Sequence, residues 1–192
     1  MTKLVKCVII GGMTNPSSII AVGSETADLL GGEVRIRTNA NVMTTGELND
    51  GATVDIDIVY DPDLGRYVAE SVNVRRGGNG TEVTARLIRE VRVQDAIVSI
   101  AMSDLIEVLS SDEDEDYITV SSGHDWLAKV KPVRERSASD DALRDAAVIY
   151  TIARLGNWPP LATVAKHLGV SQSTATRLVA DARARGLFFD HG

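Results

Sequence analysis

The amino-acid sequence predicts an α+β chain: a hairpin-rich α+β domain over 1–130, a linker over 131–139 and a three-helix domain over 140–192. Three observations predict it. Residues 52–60 and 66–75 alternate apolar and polar on either side of Asp61-Pro62-Asp63-Leu64-Gly65, the pattern of a β-hairpin with turn residues between its strands. Residues 143–153, 161–168 and 175–182 instead space their apolar side chains three, four and seven apart, the period of an amphipathic helix. Charge divides along the same line. Residues 131–192 hold nine Lys/Arg and six Asp/Glu, a balance of about +3, and the remainder holds eleven and twenty-one, about −10, within a formal net charge of −7.

In chain order, residues 3–10 read as a buried strand ended by Gly11-Gly12, and Asn15-Pro16-Ser17-Ser18 as a turn. The stretch 19–30 fits helix and strand equally and is closed by Gly31-Gly32. Residues 34–38 form a short alternating strand, and the polar run 39–51 reads as a loop. In the hairpin, Val54, Ile56 and Ile58 take one face and Asp55 and Asp57 the other. The apolar phase slips between Ala69 and Val72, the signature of a β-bulge. Gly77-Gly78-Asn79-Gly80 is a loop. Thr81 or Thr84 caps a helix through Glu90, and 94–109 makes a second, with Ile97, Ile100, Ala101, Leu105 and Val108 on one face. Ser-Ser-Asp-Glu-Asp-Glu-Asp over 110–116 reads as a solvated acidic loop; it lacks the glycine and closing glutamate of a calcium loop. Lys-Pro-Val-Arg-Glu-Arg-Ser-Ala-Ser over 131–139 has linker composition.

The C-terminal helices are better specified. Ser139 or the following aspartates cap the first, and Leu143, Ala146, Ala147, Tyr150 and Ala153 make its buried stripe up to Leu155-Gly156-Asn157. Pro159-Pro160 opens the second, whose stripe is Leu161, Val164, Ala165 and Leu168. Gly169 ends it, and Ser171 caps the third, 172–185, with Ala175, Leu178, Val179 and Ala182 inward. Ala165 and Ala175 supply small side chains where two helices cross. Trp158 is expected in the three-helix core, with at least one of Phe188 and Phe189 folded back on it. Gln172, Ser173, Thr176 and Arg177 face outward. Gln pairs with adenine and Arg with guanine in two-point fashion, and short hydroxyls reach phosphates or base edges.

The run Val-Ala-Lys-His-Leu-Gly-Val-Ser-Gln-Ser-Thr-Ala-Thr-Arg-Leu-Val resembles the helix-turn-helix of the lactose-repressor family. Residues 141–187 resemble a C-terminal module of small actinobacterial and phage-type regulators, and the run 81–97 resembles the region that precedes it there. The resemblance implies that Gln172, Ser173 and Arg177 occupy base-reading positions, and that Ser171, Thr174 and Thr176 occupy positions that touch phosphate. In the lactose-repressor family the motif is N-terminal and a sugar-binding domain follows it. Here the motif is C-terminal, so sugar sensing is not carried over. The ending also resembles the end of a winged-helix recognition helix, stopping where a wing would begin.

Other chemistry finds little support. The lone Cys7, in an apolar run, reads as a small core residue and fits a reducing cytoplasm. Residues 4–10 are too short, and too interrupted by Lys6, to cross a membrane. Gly11-Gly12 lacks dinucleotide or phosphate-loop spacing, and no paired Cys/His set could hold zinc. Of His124, His167 and His191, only His124 is free of the helical motif and the chain end, beside Asp125. The expectation is a non-enzymatic, cytoplasmic, sequence-specific double-stranded DNA-binding protein, a bacterial or phage transcriptional regulator acting as a homodimer without cofactor or metal. The rivals are a structural or interaction protein whose tail contacts another protein, and an enzyme whose tail targets it to DNA.

Overall fold

The computed structural model describes residues 3–7, 17–45, 52–77, 82–111, 118–132 and 139–188. It is mixed α+β. The strands are β1 (Lys3–Cys7), β2 (Ser17–Val22), β3 (Thr26–Leu29), β4 (Val34–Arg37), β5 (Asn39–Thr45), β6 (Thr53–Asp61), β7 (Arg66–Arg75), β8 (Ile106–Ser111) and β9 (Ile118–Ser122). The helices are α1 (Ala85–Glu90), α2 (Val93–Ile100), α3 (Gly123–Lys129), α4 (Asp140–Leu155), α5 (Pro160–Leu168) and α6 (Gln172–Ala184). The chain clusters into two units, one of residues 1–25 and 37–99, the other of 26–36 and 100–192. The divisions fall at 25, 36 and 99; residues 133–138 of the expected linker lie outside the described residues.

The first unit is built on an antiparallel sheet in the order β1-β2-β5-β6-β7. Ile20, Ala40, Val42, Val54, Ile56 and Ile58 are buried on one face, because alternate residues of a strand point the same way. The hairpin stands as expected, and so does its bulge: Asp57 faces Ser71 while Ile58 faces Ala69, which leaves Glu70 as the extra residue. The residues 39–45, expected as loop, are instead the central strand β5. Its inward set, Ala40, Val42 and Thr44, is too small and polar to announce a strand. The outward Asn41 is satisfied across the sheet, its amide donating to Asp55 and Asp57 at 2.7 Å each. Ser71 donates to Asp57 at 2.5 Å, and these bonds, Ser71's first and Asn41's next, hold the Asp57 carboxyl below its ordinary value. Helix α1 is capped by Thr84, whose hydroxyl accepts from the Leu87 N–H.

The second unit has a smaller sheet in the order β3-β4-β8-β9. The expected helix over 94–109 stops short: α2 ends at Ile100, one π-helical turn follows over Ala101–Leu105, and Ile106–Ser111 is strand β8. Ile97, Ile100, Ala101, Leu105 and Val108 are all buried, as the helical stripe required. A short apolar run satisfies both periods, however, and β-branched Ile106 and Val108 pair with Ile36 and Val34 of β4. Ser110 and Ser111 therefore belong to a strand, and the acidic residues 112–116 lie outside the described residues. Strand β9 went unanticipated.

Helix α4 starts where expected, with the Ser139 hydroxyl accepting from the Ala142 N–H and Asp140 and Asp141 in the first turn. Leu143, Ala146, Ile149, Ile152 and Ala153 are fully buried; Tyr150 is half-buried and meets Phe188 edge-on at 5.5 Å. Phe188 thus folds back, and Phe189 lies outside the described residues. Arg144 on α4 pairs with Glu33 at 2.8 Å, tying the helix to the small sheet.

Asp145 lines a cleft with Glu33, Arg144 and Trp126. Burial pushes the Asp145 carboxyl above its ordinary value, Asp141 adds to this, and Arg144 opposes it; burial does the same at Glu33. A carboxyl raised in the folded state stabilises most below its unfolded pKa, and that contribution is lost as pH rises through the folded pKa. Asp145→Asn carries no charge to desolvate. Its melting temperature is expected above that of the parent chain at neutral pH, with the gap closing below the ordinary Asp value of 3.8. Paired thermal melts across that range check the sign.

Candidate nucleic-acid interface

Helices α4, α5 and α6 pack pairwise on one another. Pro160 starts α5, where a missing N–H costs nothing, and the Pro159 carbonyl accepts from both the N–H and the hydroxyl of Thr163. Val164 and Leu168 are fully buried, while Leu161 and Ala165 are half-buried. Gly169 ends the helix at φ 65°, ψ 30°, a left-handed conformation that costs glycine little, and the Val170 N–H then reaches the Ala165 carbonyl at 3.0 Å. A Cβ at 169 would also stand 3.2 Å from the Pro132 ring, so this turn tolerates side chains poorly on two grounds. Ser171 opens α6 by accepting from the Thr174 N–H at 3.2 Å.

The inner face of α6 is as expected: Ala175, Leu178, Val179 and Ala182 are buried. Ala175 is fully buried on a helix that packs against two others, so a larger side chain there would force them apart. On the opposite face Gln172, Ser173, Thr176, Arg177 and Ala180 are exposed. Their spacing of one, four, five and eight makes one stripe beginning at the helix N-terminus.

The six residues singled out from the sequence are brought together, but they are not equally available. The Ser171 hydroxyl, besides capping, is within 2.9 Å of both the Ser173 and Thr174 hydroxyls. Thr174 is half-buried, and the Thr176 hydroxyl donates to the Gln172 carbonyl at 2.9 Å. These hydroxyls primarily shape the first turn of α6. Gln172 and Arg177, the long side chains of the stripe, are exposed.

The arginines divide similarly. Arg183 stacks over the rings of Tyr150 and Phe188, 4.9 and 5.1 Å from their centres, and Arg185 pairs with Asp140. Arg177 and Lys166 have no ion pair among the described residues.

Beside α5 lies a feature sequence reading missed. His167 Nδ1 is 3.2 Å from the Leu127 carbonyl of α3, so it carries the proton and donates. Burial holds this imidazole below its ordinary pKa, the Leu127 bond opposes, and Lys166 adds to the depression. Together with Trp158 these helices border a half-open groove of about 330 Å³. Trp158 is thus a half-buried groove wall rather than a core plug. The sequence offered no spacing signal for it, because α3 and α5 meet across forty residues.

Among the described residues no group of three His, Cys, Asp or Glu is placed to hold a metal, and no helix is long and apolar enough to cross a membrane. Comparison of the chain with family models, curated proteins and solved structures finds no match.

Proposed function

We propose that this chain is a sequence-specific double-stranded DNA-binding protein, a bacterial or phage transcriptional regulator that works in the cytoplasm as a homodimer and performs no catalysis. The exposed stripe of Gln172, Ser173, Thr176 and Arg177 on a helix whose other face is buried supports this reading most directly. A glycine-turned crossing helix, α5, precedes it, the layout in which a helix-turn-helix lays its second helix in the major groove. Gln172 and Arg177 offer two-point hydrogen bonding to adenine and guanine, and the short hydroxyls around them suit phosphate oxygens. The small basic excess makes one module a weak binder, which is why two copies are invoked. Two copies require half-sites about one helical turn apart, roughly 34 Å, or multiples of that.

A second reading, a tail that docks on another protein, draws on one observation: Arg144 and Arg185 are paired with carboxylates and Arg183 is stacked on two rings, so three of the tail's cations are engaged within the chain. Salt separates the two. Selection from random duplex DNA with the full chain is expected to enrich one sequence, whose affinity falls steeply with ionic strength. An unenriched pool would remove the DNA reading. A protein contact made through an apolar surface would be largely indifferent to salt.

A further inference from the structure

The geometry points to the groove between α3 and α5 as a binding site for a small hydroxylated aromatic carboxylate. The groove lies wholly within the second unit. Leu127 and Pro159 give it apolar walls, and Trp158 adds an indole for stacking. Among the described residues that line it, Lys166 at its border is the only Lys or Arg, and His124 lines it as well. That ammonium has no ion pair among the described residues, so a ligand carboxylate meets an unneutralised partner. Among the described residues no Asp or Glu lines the groove; the nearest in sequence, Asp125, is turned to His124 Nδ1 at 3.5 Å.

The second polar demand comes from His167. Its Nδ1–H is spent on Leu127, so in the neutral ring Nε2 is left as an acceptor. An acceptor wants a hydroxyl or amine donor, which a plain fatty acid lacks. Size permits it: a groove of about 330 Å³ admits a hydroxybenzoate of about ten non-hydrogen atoms with room left for water. Thr163 supplies little, because its hydroxyl already donates to the Pro159 carbonyl. A ligand seated there touches α5, a helix of the candidate interface, so occupancy alters duplex affinity. That consequence rests on the DNA-binding reading, whereas the binding step does not.

The test titrates the full chain with 4-hydroxybenzoate and follows the Trp158 indole N–H by NMR, assigned with Trp158→Phe. A saturable shift in the micromolar to low-millimolar range is expected, and 4-hydroxybenzyl alcohol, which keeps the ring and hydroxyl but has no charge, is expected to bind at least about tenfold more weakly. Lys166→Gln, at an exposed position, should reproduce that loss with the fold intact. Absence of a saturable shift by about 10 mM would overturn the site. Equal binding of the alcohol, or full affinity in Lys166→Gln, would overturn the charge assignment and with it the ligand class. A parallel duplex titration with and without 4-hydroxybenzoate tests the coupling: unchanged affinity refutes it. A chain that binds the carboxylate but no duplex refutes only the function proposed above.

Discussion

Leu168→Ala is expected to remove about 2–5 kcal/mol from the second unit, the range for deleting a leucine from a well-packed core. Leu168 is fully buried at the last turn of α5, and α5 packs on both α4 and α6. The cavity has little chance to collapse. On one side the chain is pinned by the left-handed turn at Gly169, and on the others Val164, Leu178 and Val179 are already buried. Whole-domain stabilities are typically about 5–15 kcal/mol, so the loss is a large fraction of the whole. The protein carries its own reporter. Its two tryptophans, Trp126 and Trp158, both belong to the second unit, so indole fluorescence in urea follows that unit without contribution from the first. The midpoint should drop with the slope unchanged. A midpoint within the scatter of the parent chain would mean that the three helices do not share one core.

The sequence made the three C-terminal helices legible because cap, stop and apolar period agree along them. Ser139 and Ser171 are caps, Gly169 is a stop, and the apolar period between them is unbroken, so local preference and packing agree. The hairpin was legible for the same reason, with turn chemistry between two alternating runs. Where the reading failed, one signal stood alone. Asn39–Thr45 has small and polar residues inward, and only the partner carboxylates on β6 make Asn41 acceptable mid-sheet. Ile106–Ser111 follows an apolar helix with no glycine or proline to mark the change, and its strand is set by pairing with β4, more than seventy residues earlier. The groove at Trp158 is likewise a product of tertiary approach. At the candidate interface, spacing told which side chains share the outer face. It could not tell that the hydroxyls of Ser171, Thr174 and Thr176 are engaged locally.

Arg177→Ala is therefore the substitution expected to act most cleanly on recognition. The side chain is exposed and carries no ion pair among the described residues, and alanine is the better helix former, so the fold should keep its urea midpoint. Loss of a bidentate base contact should cost about 1–3 kcal/mol on the selected duplex, roughly five- to 150-fold in affinity. Sequence preference should relax at one position of each half-site. The salt dependence separates this from a phosphate contact. A base-reading arginine leaves the slope of log affinity against log salt nearly unchanged, whereas a lost phosphate contact lowers it by about 0.9 for each module. Arg177→Lys adds the geometric control: it keeps the charge but not the planar fork, so it should stay close to the alanine variant on the selected site while binding unrelated duplex as the parent chain does. Uniform weakening across all sequences, with a shallower salt slope and full rescue by lysine, would reassign Arg177 to the phosphate backbone and leave Gln172 as the only long side chain on the stripe able to read bases.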